Sequence, residues 1–134
     1  MIYLEWRKHI VTKGSKPFEI TVTACEQAPG VALIELSGYL DTHTVSEFDE
    51  EMFVRRGPDF RFFVTDMADL SYISSAGIAS LMKLVQQTRK RGGEVILLRP
   101  GEQVYSILEL LGFTDIFRFT ATLEEALALL TDDE

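Results

Sequence analysis

Cysteine and long hydrophobic runs are the features that this sequence lacks most clearly. Its 134 residues include one cysteine, Cys25, so no disulfide can form within the chain, which favours a reducing compartment. No segment approaches the roughly 20 apolar residues of a membrane-spanning helix, and the first residues lack the basic and apolar regions of a signal peptide. The sequence therefore predicts a cytoplasmic protein that has no membrane partner.

Positive charge is also scarce. Thirteen Lys and Arg residues face 21 Asp and Glu residues, and the net charge of −8 argues against a nucleic-acid partner, whose phosphates need cations. Residues 1–17 are the exception, because four basic residues and one acidic residue give them a net charge of +3 and leave −11 for the rest. We interpret residues 1–17 as an N-terminal extension, either an extra strand or a tail, and residues 18–134 as one domain.

Histidine is represented only by His9 and His43. Neither has a partner at the spacing of a zinc site, and the chain has no glycine-rich phosphate-binding loop and no nucleophile elbow. Because a catalytic site needs several converging titratable groups, we expect no enzyme activity, no metal site and no cofactor.

Hydrophobic periodicity predicts the element order β-β-α-β-α-β-α-β-α. The expected strands are residues 18–24, 31–36, 61–65, 94–98 and 116–119. Strands that alternate with helices pair in parallel through right-handed crossovers, whereas the short turn at residues 27–30 favours an antiparallel first pair. The sequence thus predicts an α/β domain with a mixed, mostly parallel sheet of about five strands and four helices.

Hydroxyl residues stand where helices are expected to begin. Thr42 or Thr44 can cap the first helix, with Glu47 completing a capping box after Thr44, and Thr122 with Glu125 has the same spacing before the last helix. These residues predict where two of the four helices start.

The stretch from Asp69 to Leu81 is the most informative part of the chain. It follows a buried strand and leads into a helix, so it reads as a strand-to-helix turn with Ser74 and Ser75 at the helix N-terminus. The unpaired N–H groups and positive dipole end of a helix favour an anion there. A serine in this position can cap the helix or carry a phosphate, and pattern alone favours the cap.

Three motifs resemble the STAS-domain anti-sigma factor antagonists. They are Asp69-Leu-Ser-Tyr-Ile-Ser-Ser-Ala-Gly77, Leu36-Ser-Gly-Tyr-Leu-Asp-Thr-His-Thr44 and Ile107-Leu-Glu-Leu-Leu-Gly-Phe113. The last is followed by Ile116-Phe-Arg-Phe119, and the match spans about residues 18–131 in the order of the family's elements.

The resemblance implies a partner-switching function. The unphosphorylated antagonist would bind an anti-sigma factor that is also a serine kinase, and a metal-dependent Ser/Thr phosphatase would remove the phosphate that the kinase adds. Carried onto this sequence, the acceptor is Ser75, two residues before Gly77, with Ser74 as a rival. The partner-binding residues would be Asp41, Thr42, Thr44, Asp69, Ser74, Ser75, Ala76, Gly77 and Ile78.

Two other functions stay open at this point. The chain could be a non-switching STAS module, serving as a subunit or scaffold of a larger complex, or a STAS domain that binds a nucleotide or another small ligand. An intact serine in the turn favours the antagonist.

Overall fold

The structure, a computed structural model, describes residues 17–131. Most of the predicted N-terminal extension, residues 1–16, lies outside the described part of the chain. The strands are β1 (Phe18–Ala24), β2 (Val31–Leu40), β3 (Phe62–Ile73), β4 (Glu94–Leu98) and β5 (Arg118–Thr120). The helices are α1 (Val45–Asp49, continued by a π-helical segment, Glu50–Arg55), α2 (Ser75–Lys90), α3 (Glu102–Leu110) and α4 (Leu123–Thr131), with a short 3-10 turn at Gly57–Asp59.

The five strands lie in the sheet in their chain order, β1-β2-β3-β4-β5. β1 pairs antiparallel with β2, and the other three pairs are parallel, so the predicted α/β architecture is confirmed. Because the strand order never reverses, successive right-handed crossovers place α1, α2 and α3 on the same face of the sheet.

The main core lies between these three helices and the sheet. Phe48 from α1, Leu81 from α2 and Leu108 from α3 are fully buried in one cluster. The strands contribute alternate residues to this cluster, among them Ile34, Phe63 and Leu97. Burial of such side chains is the main favourable term in folding, at about 1.5–3 kcal/mol for each large apolar side chain.

The opposite face of the sheet carries a smaller core under α4. Ala126 and Leu130 of that helix pack on Val31, Val64 and Ile96. α4 begins as predicted, because the Glu125 N–H donates to Thr122 Oγ1 at 3.1 Å and Glu125 Oε1 accepts from the Ala121 N–H at 3.0 Å. This helix covers the half of the face that lies near the amino ends of the parallel strands.

The predicted lengths of β2 and β3 are wrong. β2 continues from residue 36 to Leu40, and β3 continues from residue 65 to Ile73, so most of the expected turn after β3 is strand. The two strands stay paired up to Leu40 and Ile73, with two register shifts at which β3 carries an extra residue. Both β-bulges add a residue to β3 and break its alternation, on which the sequence-based prediction relied, whereas β2 alternates without a break up to Leu40. β5 also begins later than expected, at Arg118.

Gly38 allows β1 and β2 to approach closely near the end of β2. Its φ is +88°, and a Cβ atom there would lie 2.1 Å from the carbonyl oxygen of Pro17. The same carbonyl accepts a hydrogen bond from the Tyr39 N–H at 2.8 Å. Only glycine fits this position without displacing the backbone.

Candidate functional site

The Ser74 turn, residues 74–77, joins β3 to α2. Ser74 is the N-cap residue of the helix, with an extended backbone and a side-chain oxygen that accepts from the Gly77 N–H at 3.4 Å. Its carbonyl accepts the first helical hydrogen bond, from the Ile78 N–H at 2.9 Å. The capping role predicted for this serine pair is therefore confirmed for Ser74, while Ser75 is the first residue of the helix and is exposed.

Gly77 holds this turn against the end of β2. A Cβ atom at Gly77 would lie 2.7 Å from the Leu40 carbonyl oxygen and 2.9 Å from Ile73 Cγ1. The same Leu40 carbonyl accepts from the Ser74 N–H at 3.0 Å. The start of α2 is thus wedged between the ends of two neighbouring strands, which fixes the position of the adjacent serines.

The Asp41 turn, residues 41–44, lies directly beside it and joins β2 to α1. Thr44 is only 3% exposed, and its hydroxyl donates to the Tyr39 carbonyl at 2.7 Å and accepts from the Asp41 N–H at 3.0 Å. Asp41 Oδ1 accepts from the His43 N–H at 2.9 Å and from the Thr44 N–H at 3.3 Å. These bonds close the turn with its own side chains.

The capping box predicted for α1 is wrong. Thr44 occupies the N-cap position, but its side chain makes no capping bond to the helix. Its hydroxyl points inward to the strand, and the Asp41 carboxylate bonds the backbone of the turn instead. The spacing of Thr44 and Glu47 could not show this arrangement, because the direction of the Thr44 hydroxyl depends on which side of the chain is buried.

The structure brings most, but not all, of the predicted site residues together. Thr42 and Ser75 are exposed, and Asp41, Ser74 and Ala76 are partly exposed beside them. Thr44, Gly77 and Ile78 are buried, so they shape the site rather than present side chains at its surface. Asp69 lies within β3 opposite Ser37, five residues before Ser74, which is roughly 15 Å along a strand. The expectation that it sits at the turn is wrong.

Two exposed tyrosines next to the turn were missed by the sequence-based prediction. Tyr39 and Tyr72 are paired across β2 and β3 and are 51% and 40% exposed. They lie on the face opposite α1–α3, because their neighbours Leu40 and Ile73 point into the main core. Extending the alternation of β2 from Glu35 through Ser37 would have revealed Tyr39.

A bidentate ion pair lies on the same face. Arg99 donates from Nη2 to Asp66 Oδ2 at 2.9 Å and from Nε to Asp66 Oδ1 at 3.2 Å. The hydrogen bond and charge of Asp66, followed by the charges of Asp69 and Glu35, raise the pKa of Arg99. The guanidinium of Arg99 thus offsets part of the acidic charge on this part of the surface.

No side-chain cluster between residues 17 and 131 has the composition of a metal site, with three or more His, Cys, Asp or Glu residues grouped together. Within the same residues, no helix has the length and hydropathy that crossing a membrane requires. The Ser74 turn presents an exposed hydroxyl, that of Ser75, at the N-terminus of a 16-residue helix.

Comparison with known families decides the classification. The model of the STAS domain matches residues 23–126, which is most of the chain. The chain belongs to the STAS domain family. This confirms the resemblance noted in the three sequence motifs, and the site described above is the β3–α2 turn of a STAS domain.

The chain is similar to one curated relative in sequence and to several solved structures in fold. BtrV of Bordetella bronchiseptica, which is named as an anti-sigma factor antagonist, is 27% identical to this chain over 103 residues. The match covers 77% of this chain and 89% of BtrV. SpoIIAA of Bacillus, an anti-sigma factor antagonist, is 20% identical in its unphosphorylated form, with a TM-score of 0.69 over 83% of this chain and 95% of SpoIIAA. Its structure is also known in the phosphorylated form.

The fold also occurs inside a much larger protein. The murine anion transporter Slc26a9 is 15% identical, with a TM-score of 0.64 over 96% of this chain. This STAS domain corresponds to only 24% of the transporter chain. The fold by itself is therefore compatible with more than one biological setting.

Proposed function

We propose that this STAS domain is a cytoplasmic anti-sigma factor antagonist that works by partner switching, with Ser75 as the phosphorylated residue. In its unphosphorylated state it binds an anti-sigma factor that is also a serine kinase. Transfer of the ATP γ-phosphate to the Ser75 hydroxyl releases ADP and a proton and weakens the complex. A metal-dependent Ser/Thr phosphatase hydrolyses the phosphoserine and restores the binding form.

The observation that supports this proposal is the different structural role of each of the two serines. Ser74 is partly buried and its oxygen caps the helix, whereas Ser75 is exposed and its hydroxyl makes no hydrogen bond to any other described residue. A kinase can therefore reach Ser75 without breaking a bond of the native structure. This supports Ser75 over Ser74 as the acceptor.

The helix N-terminus suits a phosphate. A phosphoserine adds a charge of about −1.5 to −2, and the first turn of a helix offers N–H groups that have no carbonyl partner within the helix. The dipole of α2 favours this charge, so the domain can carry it without unfolding. We infer that the switch acts at the binding surface and does not require a change of fold.

The neighbouring residues would convert the phosphate into a loss of affinity. Asp41 lies beside the turn, because Leu40 and Ile73 are paired across β2 and β3. Asp41 directly follows Leu40 in the chain, and Ser74 directly follows Ile73 and donates its N–H to the Leu40 carbonyl. A partner that fits Thr42, Ser75 and Ala76 closely has to desolvate the added phosphate next to that carboxylate. Like-charge repulsion and desolvation at an interface typically cost several kcal/mol, which is enough to release a partner.

The proposal is tested by measuring the affinity of the purified kinase for five forms of the chain. We expect tight binding by the wild type and Ser75→Ala, weak binding by Ser75→Asp, and loss of wild-type binding after incubation with the kinase and ATP. Ser74→Asp is the matched control, because it places the same charge one residue earlier. Retention of wild-type binding after complete phosphorylation would contradict the proposal.

A second candidate is a STAS module within a larger assembly. It is favoured by the match of 96% of this chain to a domain of a transporter, although that likeness shows only the fold. Such a module would bind its assembly equally well with and without ATP. The kinase measurement above separates the two functions, because only the antagonist loses its partner when ATP is added.

A further inference from the structure

β3 is much longer than the strand that pairs with it on one of its two sides. β2 pairs with β3 along its whole length, from Phe62 to Ile73, whereas β4 pairs with it only as far as Asp66. Within residues 17–131, residues 67–73 therefore have a neighbouring strand on the β2 side and none on the β4 side. We call the unpaired side of residues 67–73 the β3 edge.

The β3 edge presents main-chain groups that can bind another strand. An edge strand carries a row of unpaired N–H and C=O groups along its open side. Apart from the pairing with β2, the main chain of residues 67–73 makes one hydrogen bond to another described residue, from the Ala68 N–H to Asp66 Oδ1 at 3.1 Å. At about 3.3 Å for each residue, the edge is roughly 23 Å long.

The chain turns away from the β3 edge directly after β4. Arg99 has a φ of +40°, a value that is uncommon outside glycine, and its N–H donates to the Thr120 carbonyl of β5 at 2.9 Å. Gly101 then caps the start of α3, and a Cβ atom at Gly101 would meet no atom within 4 Å. Open space therefore borders the start of α3, just beyond the end of β4.

The side chains of residues 67–73 divide between the main core and the solvent. Those buried in the main core are Met67, Leu70 and Ile73. Those exposed are Ala68, Asp69, Ser71 and Tyr72. The buried row fixes the strand in place, so a partner that pairs with the β3 edge does not have to order it first.

The surroundings of the β3 edge are acidic. The carboxylates of Asp66, Asp69 and Glu35 lie around the guanidinium of Arg99, so three negative charges and one positive charge leave a net charge of −2. Arg99 bonds Asp66 in bidentate fashion, whereas the exposed Asp69 has no hydrogen bond or ion pair with any described residue. Charges and bulges on an edge strand oppose indiscriminate pairing, so this edge favours a segment that brings a cation to Asp69.

We propose that the β3 edge binds an extended, basic segment of the anti-sigma factor kinase, which adds a strand to the sheet beyond the end of β4. The main chain of the segment bonds that of residues 67–73, and a Lys or Arg of the segment pairs with Asp69. The edge ends directly before Ser74, so the added strand is continuous with the surface around Ser75. This inference rests on the proposed function, because it names how the same partner is held.

Amide hydrogen exchange, followed by mass spectrometry, tests the pairing directly. Ser75→Ala is the form to use, because it cannot be phosphorylated at Ser75 and stays bound. The kinase should slow exchange in residues 67–73 about tenfold or more, since hydrogen-bonded amides exchange only after local opening. The internal control is β5, Arg118–Thr120, the strand at the far side of the sheet, whose exchange should be unchanged.

Asp69→Lys tests the charge of the edge. It places a cation against the Lys or Arg of the segment, and we expect the affinity for the kinase to fall about tenfold or more. The matched control is Asp115→Lys, which reverses another exposed carboxylate, in the loop before β5, and changes the net charge equally. Its affinity should stay within about twofold of the wild type, because charges far from the contact are screened by salt. Circular dichroism and a cooperative thermal transition verify that each variant is folded.

The results that would overturn this inference are distinct from those that would overturn the proposed function. A complex in which residues 67–73 exchange as fast as in the free chain would overturn the inference alone, as would equal affinities of Asp69→Lys and Asp115→Lys. Protection in the free chain that grows with its concentration would assign the β3 edge to a second copy. Failure of the kinase to bind any form of the chain would overturn both.

Discussion

The Asp41 turn and the Ser74 turn lie side by side at the carboxyl ends of neighbouring parallel strands, yet they differ in how their polar groups are used. In the Asp41 turn, a buried threonine and a carboxylate bond the backbone of the same turn. In the Ser74 turn, one long 3.4 Å bond caps the helix and the next hydroxyl is exposed. The Asp41 turn is thus closed by its own side chains, whereas the Ser74 turn leaves the Ser75 hydroxyl exposed.

This difference suits the proposed modification of Ser75 on a rigid scaffold. The Asp41 turn and the Gly77 wedge hold the end of β2 and the start of α2 in fixed positions. Ser75 is presented by that rigid support but contributes little to it. Substitutions in the support should therefore change stability, whereas substitutions of Ser75 should change function alone.

The largest expected effect is that of Gly77→Ala. The new Cβ atom would lie 2.7 Å from the Leu40 carbonyl oxygen, so the backbone must shift. We expect a loss of about 2 kcal/mol in the free energy of unfolding, even after the roughly 1 kcal/mol that alanine gains over glycine in a helix. Urea denaturation measures this loss.

Gly101→Ala is the control for that variant, since nothing lies within 4 Å of a Cβ atom at Gly101. Because Gly101 is the N-cap residue of α3, where alanine is a poorer cap than glycine, the variant should lower the free energy of unfolding by no more than about 1 kcal/mol. Equal stabilities of the two variants would show that Gly77 does not wedge α2 against β2.

Thr44→Val should have the next largest effect. Valine has the shape of threonine but leaves the Tyr39 carbonyl and the Asp41 N–H without their partner in a buried turn. Loss of such a buried partner costs about 1–3 kcal/mol. Thermal and urea unfolding should show this loss for Thr44→Val and almost no change for Thr42→Val, its exposed neighbour. Equal losses of stability in Thr44→Val and Thr42→Val would contradict the claim that only the buried threonine stabilises the turn.

The smallest effects are expected in the Ser74 turn itself. Ser74→Ala removes a cap worth about 0.5–2 kcal/mol, and the long hydrogen bond places the loss near the lower limit. Ser75→Ala should leave the free energy of unfolding within about 0.5 kcal/mol of the wild type. If Ser75→Ala proved the more damaging of the two in urea denaturation, the assignment of cap and free hydroxyl would have to be reversed.

The sequence predicted the element order and the Ser74 cap because both depend on local patterns. Hydrophobic periodicity marked every strand and helix of the sheet layers, and the serine lies next to the helix that it caps. The strand ends were missed because pairing of β2 with β3 continues through Ser37, Gly38 and two bulges. Long-range backbone pairing, and not side-chain alternation, sets those ends.

The same limit explains the errors at the site. Asp69 was expected in the turn because β3 was ended too early, and Tyr39 and Tyr72 were overlooked because β2 and β3 were both ended too early. The bonds from Asp41 to the backbone of its own turn were missed because Thr44 is drawn inward by the Tyr39 carbonyl, a contact made in the folded chain. Ser75 as the phosphate acceptor comes from the motif resemblance and stays a prediction, for which the structure shows an exposed side chain.

Mapping the phosphate after incubation with the kinase and ATP tests the central claim most directly. The chain is digested, and the peptide that contains the Ser74 turn is fragmented by mass spectrometry to locate the modified residue. The account predicts one phosphate, on Ser75, in the wild type and in Ser74→Ala, and none in Ser75→Ala. Phosphate on Ser74, or on any residue outside this turn, with Ser75 unmodified would contradict it.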